Sequence, residues 1–390
     1  MQWKNPGAEF DNLYAHIKNI NKLYIFGAGI YGRCLHSLLC DDFEILGFID
    51  NDIGKQNSDY LGLPVYSPDS VMPQENCAVI AAMSSTRTEA VLEQMEELGF
   101  CKNQNLFSKD IFVPVWGVYA KSKVVFPAIS LLPSTRCNLK CEACLNFTTH
   151  NKNHTKRTLQ NLKNNVDLFF SCVDYIMQFH LSGGEPLLYD ELGQLVEYIN
   201  SRYAGKIFQL AVTTNGTLMP SDELCLILRK NNTHLIMDDY REAVPEKAFM
   251  FEKIKECLER NTVDYSIQKI DKWIDLKPFD TDHSKWSDEQ LQEWHKKCNV
   301  PYQELRDSKI WSCNYASFAI VAGLIPATEN DFLDLKELLN SDSILSDAGK
   351  KKLVEFRLGY NKKGYVDFCK RCSGYEGLNK NFVQAARQQR

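Results

Sequence analysis

Nowhere in these 390 residues do apolar side chains run unbroken for the roughly twenty positions that a membrane-crossing helix needs. The opening run MQWKNPGAEF has no signal-peptide core either, so a cytoplasmic protein without membrane contact is expected. Positive charge is not in excess: 45 Lys and Arg stand against 50 Asp and Glu, a formal net charge of -5, which argues against nucleic acid as a partner. What is present is an ordinary globular composition, 44% hydrophobic, in a chain long enough for about two or three domains. Fourteen cysteines without an export signal point to reduced thiols and metal ligation. Seven of them fall in two clusters. The others, Cys34, Cys40, Cys77, Cys101, Cys172, Cys225 and Cys257, lie in expected helices, strands or their edges and read as small buried hydrophobes.

The first cluster is Cys137-x3-Cys141-x2-Cys144, in the run CNLKCEAC. Three thiolates bind three corners of a four-iron cluster and leave the fourth iron open for another ligand. A zinc site completed by His150 or His154 is the alternative these residues allow. Downstream, Ile176 to Leu181 reads as a buried strand that runs into the tight turn Ser182, Gly183, Gly184, Glu185, Pro186. Glycines there let the backbone approach a ligand, and Glu185 offers an acceptor for an ammonium group. A third element follows, the strand Ala211 to Thr214 and the turn Asn215-Gly216.

Triplet, GGEP and TNG in this order resemble the radical S-adenosylmethionine (SAM) superfamily. The resemblance implies that SAM chelates the open iron through its amino and carboxylate groups. It also implies that Gly183, Gly184, Glu185 and Pro186 bind the SAM amino group, with Thr214 and Asn215 close to the ribose and methionine parts. Of Asp238 and Asp239 one is expected to face SAM or substrate; the sequence does not choose, and Asp238 is carried as the candidate. One position departs from the family: the residue before the third cysteine is usually aromatic and here is Ala143, with Phe147 nearby to fill the space.

The first 118 residues read as a unit of their own. Strand Lys22 to Phe26 enters Gly27-Ala28-Gly29-Ile30-Tyr31-Gly32, a helical stretch follows, and strand Glu44 to Ile49 ends in Asp50, about twenty residues beyond the glycines. Glycines between strand and helix, with an acid at that distance, mark a dinucleotide fold. The unit resembles the small Rossmann-like domains attached to sugar-modifying enzymes, where FGAGxxG and GFIDND recur. That implies a nucleotide diphosphate held by Gly27, Gly29, Gly32 and Asp50; a degenerate domain kept for scaffolding is the alternative.

Residues 119–295 continue as βα alternation, expected as a partial (β/α)6 radical SAM barrel with its active site at the carboxyl ends of the strands. Residues 296–390 carry the second cluster, Cys298, Cys313, Cys369 and Cys372. Ser308-x4-Cys313 stands where SPASM and Twitch domains show Gly-x4-Cys, and Leu378 occupies the next expected cysteine position, so the resemblance is to the shorter Twitch form. Four cysteines would close every corner of an auxiliary [4Fe-4S] cluster, which implies electron transfer or structure; a four-cysteine zinc site is the alternative.

The expected fold is thus α/β in three parts, and the expected cofactors are two [4Fe-4S] clusters and SAM. The resemblance implies a radical SAM oxidoreductase or epimerase that takes hydrogen from a sugar or sugar nucleotide, fed by a low-potential donor such as flavodoxin or ferredoxin. No hydrogen-donating residue can be named. A peptide maturase is the enzymatic rival, though maturases usually carry a winged-helix domain where this chain has its glycine motif. A metal-stabilised sugar-nucleotide-binding protein is the non-enzymatic one.

Overall fold

The computed structural model describes residues 1–83, 85–298, 303–342, 344–375 and 378–389, and the chain divides into two compact units. One comprises Lys4–Pro127 and Asp347–Leu358, the other Met1–Trp3, Ala128–Ser346 and Gly359–Arg390. Among the described residues no helix is long and apolar enough to cross a membrane.

In the first unit, β1 (Lys22–Phe26), β2 (Glu44–Ile49), β3 (Asp59–Tyr60), β4 (Leu63–Tyr66), β5 (Cys77–Ala81) and β6 (Leu106–Ser108) form one sheet in the order β3-β4-β2-β1-β5-β6. All its pairings are parallel except the β3–β4 hairpin. The sequences LYIF and CAVIA are buried throughout, as strands covered by helices on both faces must be. Those helices are α1 (Asp11–Ile17), α2 (Ile30–Leu39), α3 (Ser85–Glu97) and α4 (Lys109–Lys121). Strand order reverses at β1, between β2 and β5, where an open parallel sheet leaves a crevice at its carboxyl ends.

In the second unit, β7 (Val125–Leu131), β8 (Tyr175–Leu181), β9 (Ile207–Thr214), β10 (His234–Asp239) and β11 (Tyr265–Lys269) lie side by side in chain order. They alternate with α5 (Leu159–Cys172), α6 (Leu192–Tyr203), α7 (Asp222–Lys230) and α8 (Ala248–Arg260), which makes the radical SAM-like partial barrel. The helices start where the sequence supplies a cap: Thr158 and Ser221 accept the amides of Asn161 and Leu224, and Ser287 with Gln290 forms a capping box on α9 (Asp288–Lys297). Phe179 of β8 packs among Phe169 and Phe170 of α5, so the odd residues of this strand face the helices.

Past the barrel, β12 (Lys272–Ile274) leaves the sheet. On the sheet's other side β13 (Glu304–Arg306) runs parallel to β7, and β14 (Lys309–Trp311) and β15 (Phe332–Asp334) continue it antiparallel. Asp307 and Ser308, at φ 52° and 65°, make the two-residue turn of the β13–β14 hairpin, which needs both residues left-handed. A glycine would take that left-handed backbone without strain, so Ser308 adopts it at a cost. After α10 (Asn314–Val321), helix α11 (Asp347–Arg357) returns to the first unit, where the buried Glu355 carboxylate accepts the amides of Gly7 and Glu9 at 2.8–3.0 Å. Finally β16 (Phe382–Gln384) pairs antiparallel with β12.

Candidate functional site

The cysteine loop, GGEP, TNG and Asp238 all lie at or just past the carboxyl ends of barrel strands, β7, β8, β9 and β10 in turn. Leu139, Cys141, Tyr240, Val244, Ala385 and Ala386 form a buried patch, and Cys137 and Cys144 pack against it. Each sulfur has a polar neighbour. Cys137 Sγ accepts Leu139 N at 3.4 Å and Asn215 Nδ2 at 3.8 Å, Cys141 Sγ accepts Gln388 Nε2 at 3.3 Å, and Cys144 Sγ lies 3.6 Å from Thr148 Oγ1. Burial pushes the Cys137 thiol up to about 11 and Cys141 up to about 12, so both await a cation before they ionise. Of the histidines of the zinc alternative, the His150 ring lies 4.9 Å from that of Phe279, and His154 Nδ1 is 3.4 Å from Thr135 Oγ1.

The GGEP turn is built against this loop. A Cβ on Gly183 would sit 2.5 Å from Ser134 O, and one on Gly184 would sit 2.0 Å from Arg136 O. The close approach these glycines permit is therefore to the chain's own backbone, stitched by Gly184 N to Ser134 O at 3.1 Å and Glu185 N to Arg136 O at 2.7 Å. Glu185 is 1% exposed, and its carboxylate is already engaged: Oε1 accepts Leu187 N at 3.0 Å and Oε2 accepts Asn215 N at 2.8 Å. The acceptor expected for an ammonium group thus ties GGEP to TNG. Burial pushes its carboxyl up to about 7 against the pull of these hydrogen bonds. Pro186 opens the short turn that Glu185 caps, Thr214 is buried, and Asn215 Nδ2 donates to Asn138 Oδ1 at 2.9 Å within the cysteine loop.

Residues 131–272 match the family model described as the radical SAM superfamily. The matched segment spans the cysteine loop, both turns and the aspartate pair. An uncharacterized protein of Methanocaldococcus jannaschii, MJ0907, is 33% identical over 87 residues, so this chain spans only 29% of that relative and the match covers 22% of this chain. Among solved structures, native anSMEcpe with bound AdoMet matches at 19% identity and TM-score 0.32 over 47% of this chain and 52% of that one. With AdoMet and the Cp18Cys peptide, anSMEcpe gives 13% identity and TM-score 0.40 over 67% and 94%. BtrN in complex with AdoMet and 2-DOIA gives 16% identity and TM-score 0.37 over 66% and 98%.

Within the matched segment the two aspartates part company. Asp238 is buried, accepts Tyr240 Oη at 2.7 Å, and is pushed up to about 7 by burial and by the Glu185 carboxylate. Asp239 pairs through both oxygens with Arg241, at 2.9 and 2.7 Å, and that pairing holds it below the usual carboxylate range. The pair thus splits into a buried acid, Asp238, and an ion-paired one, Asp239. On the strand face opposite Phe179, His180 reaches Ser130 Oγ on β7 at 3.3 Å and Thr213 Oγ1 on β9 at 2.6 Å, and burial drops it to about 4, hence neutral. Sequence reading passed over His180, although polar Gln178 and His180 alternate in the otherwise apolar IMQFHL. It also passed over Tyr240 and Gln388, which carry no local signal.

The second cysteine set comes from three segments of the chain, with Cys369 and Cys372 on the same short turn. Cys298 ends α9; Cys313 caps α10, its sulfur accepting Ala316 N at 3.5 Å; Cys369 lies in the short turn Asp367–Arg371; Cys372 Sγ accepts Gly374 N at 3.4 Å. Burial raises all four thiols, with Cys298 at about 11 and Cys313 at about 12, and Cys372 is raised further by the other three. Phe147, expected to fill the space beside the first set, packs edge-on against Phe368, next to Cys369, at 5.7 Å. All fourteen cysteines are free thiols. Among the described residues no group of three or more His, Cys, Asp or Glu side chains is drawn around a point that a single metal ion would fill. The donor chemistry, sets of three and four buried or half-buried sulfurs, fits iron–sulfur clusters.

In the first unit Gly27 (φ 117°) and Gly32 serve the fold: a Cβ on Gly27 would meet Ala82 O at 2.9 Å, and one on Gly32 would meet Gly27 O at 2.0 Å. Gly29, at the start of α2 with φ -147°, has nothing within 4 Å of its Cβ position. Asp50 accepts Ala28 N at 2.9 Å, Asp52 N at 2.9 Å and Lys55 Nζ at 3.1 Å. Burial works against its charge, and these bonds still hold it below the usual range.

Proposed function

We propose that this chain is a radical SAM enzyme that removes hydrogen from a carbohydrate, a nucleotide-linked sugar, with oxidation or epimerisation as the outcome. The observation that carries the reading is Glu185, which locks the GGEP and TNG turns to each other beside the three cysteines. Cys137, Cys141 and Cys144 would hold a [4Fe-4S] cluster with SAM, and Cys298, Cys313, Cys369 and Cys372 an auxiliary one in a Twitch-type fold. Bound there, the first cluster and SAM supply hydrogen-abstraction chemistry at unactivated carbon. The chain's own work is to hold the parts in register and keep water out. Neutral His180, lying between hydroxyls, offers the barrel interior a donor and acceptor without charge. A low-potential flavodoxin or ferredoxin would supply electrons.

The sugar reading is supported by the first unit. Gly29 is the one motif glycine that the fold itself does not require, and open space beside the backbone at a helix start suits a diphosphate. Asp50 would meet the ribose only with oxygens that already hold Lys55 and two amides. The test is an anaerobic incubation of reconstituted protein with SAM, a low-potential reductant and a panel of UDP- and GDP-sugars. Formation of 5′-deoxyadenosine that rises with one sugar, and picks up deuterium from it, is expected. Protein with a full first cluster that makes no deoxyadenosine would sink the radical reading. Coupling to a peptide in place of every sugar would move the chain to the maturase class.

A further inference from the structure

The last described residues lie back on the cysteine loop. Glu142 N donates to Arg387 O at 2.8 Å and Gln389 N to Lys140 O at 2.8 Å, which sets Cys141 opposite Gln388 in an antiparallel bridge. Arg387 pairs with Glu142 at 2.5 Å, and Ala385 and Ala386 fill the patch beside Cys141. Inside this seat the Gln388 amide has a determined orientation. Its Oε1 accepts Lys140 N at 2.8 Å, and a flipped amide would set N–H against N–H there. Nε2 is therefore left to donate to Ala386 O at 2.6 Å and to Cys141 Sγ at 3.3 Å.

The geometry points to Gln388 as a positioning residue for the first cysteine set: its amide holds the loop in register and supplies a sulfur-directed hydrogen bond at Cys141. This rests on the reading that the triplet holds an iron–sulfur cluster. Cys137 has its donors at Leu139 and in the TNG turn, and Cys144 has Thr148 beside it. Cys141 is served from 247 positions away, so the carboxyl-terminal segment completes a set of sulfur partners that the loop cannot provide alone. A reduced cluster carries more negative charge on its sulfurs than an oxidised one. A donor at sulfur therefore favours the reduced form and raises the midpoint potential.

The experiment is Gln388→Met in the full chain, a change that keeps side-chain volume and removes both donor and acceptor. After anaerobic reconstitution, iron is counted and an electron-paramagnetic-resonance redox titration is run on variant and wild type. The expected result is full iron, a lowered midpoint potential for the first cluster, and an unmoved second cluster as internal control. Full iron with an unmoved first potential overturns the inference, whatever happens to melting temperature, because a purely structural tail would alter stability alone. Should the Met variant fail to take up iron, Gln388→Asn, which withdraws the amide by one methylene, is read by the same criterion. A wild type that takes up no iron removes the cluster reading itself, an outcome distinct from full wild-type iron with an unmoved variant.

Discussion

Gly184→Ala is the substitution whose cost can be worked most directly from this structure. The new methyl carbon would lie 2.0 Å from Arg136 O, 2.4 Å from Arg136 C and 2.8 Å from Thr135 O, all backbone atoms that cannot swing aside. Non-bonded heavy atoms rest at roughly 3.5 Å, so the turn and the cysteine loop must part by more than about 1 Å. The bonds from Gly184 N to Ser134 O and from Glu185 N to Arg136 O do not survive that separation. Each is worth about 1 kcal/mol net, and a donor left buried and unpaired costs about 1–3 kcal/mol, so a loss of about 2–4 kcal/mol is expected. At about 2–4 °C per kcal/mol for a unit of this size, the melting temperature should fall by roughly 5–15 °C. The displaced loop should also fail to bind iron while the second cysteine set keeps its own. Calorimetry of cluster-free protein and iron analysis after reconstitution give the two readouts. A variant that melts within a degree of wild type and takes up full iron would refute the backbone contact on which the reasoning rests.

Reconstituted wild type should hold about eight irons; Cys369→Ala should leave about four, and stoichiometric zinc in natively purified protein would instead assign the second set to zinc. Asp238 ionises at about 7 in the fold and near 3.8 when unfolded, so the folded chain binds its proton more tightly. Its contribution is therefore fully present below the unfolded value and lost as pH rises through 7. Urea titrations of cluster-free protein from pH 4 to 8 should show this decline, to which Glu185, also pushed up to about 7, adds its share, and Asp238→Asn should make it shallower; an identical slope in the variant would count against the burial of that carboxyl. Gly29→Val should leave the melting temperature unchanged, since nothing lies near its Cβ, and abolish sugar-nucleotide binding seen by calorimetry; equal binding by the variant would return the first unit to a scaffold role.

Much of the architecture was legible because it rests on local rules. Buried strands such as CAVIA, capped helices after Thr158 and Ser221, and turns at GGEP and TNG each announce themselves within a few residues. What stayed hidden depends on partners far away in the chain. Helix α11 reads locally like any polar helix, and its ties to the first unit run to partners far back in the chain: Glu355 to Gly7 and Glu9, Lys350 to Ser122, and Lys351 to Asp11. The aspartate pair could not be split from sequence because both residues sit at the same strand end. Tyr240 and Arg241, two positions beyond each, divide them into a buried acid and an ion pair. Gln388 is invisible for the same reason, its partner lying on the opposite side of the sequence.

The motif glycines show how a structure sorts residues that a sequence pattern treats alike. Gly27, Gly32, Gly183 and Gly184 each face a backbone or side-chain atom closer than a Cβ tolerates, so the fold alone explains why nothing larger stands there. Gly29 has open space and an extended backbone that any residue adopts, so the fold does not explain it. The same question applied to Glu185 gives the opposite answer from the one its motif suggests. A carboxylate that already accepts two amides from two loops has a structural duty before it meets any ligand. Loss of Glu185 should therefore loosen GGEP and TNG together, and a SAM-binding defect in Glu185→Gln would arrive through misplaced loops and not through one missing contact. Asn215→Ala, which keeps the backbone amide that Glu185 holds but removes the side chain that reaches Asn138, separates the two routes: it should spare the melting temperature more than Glu185→Gln does.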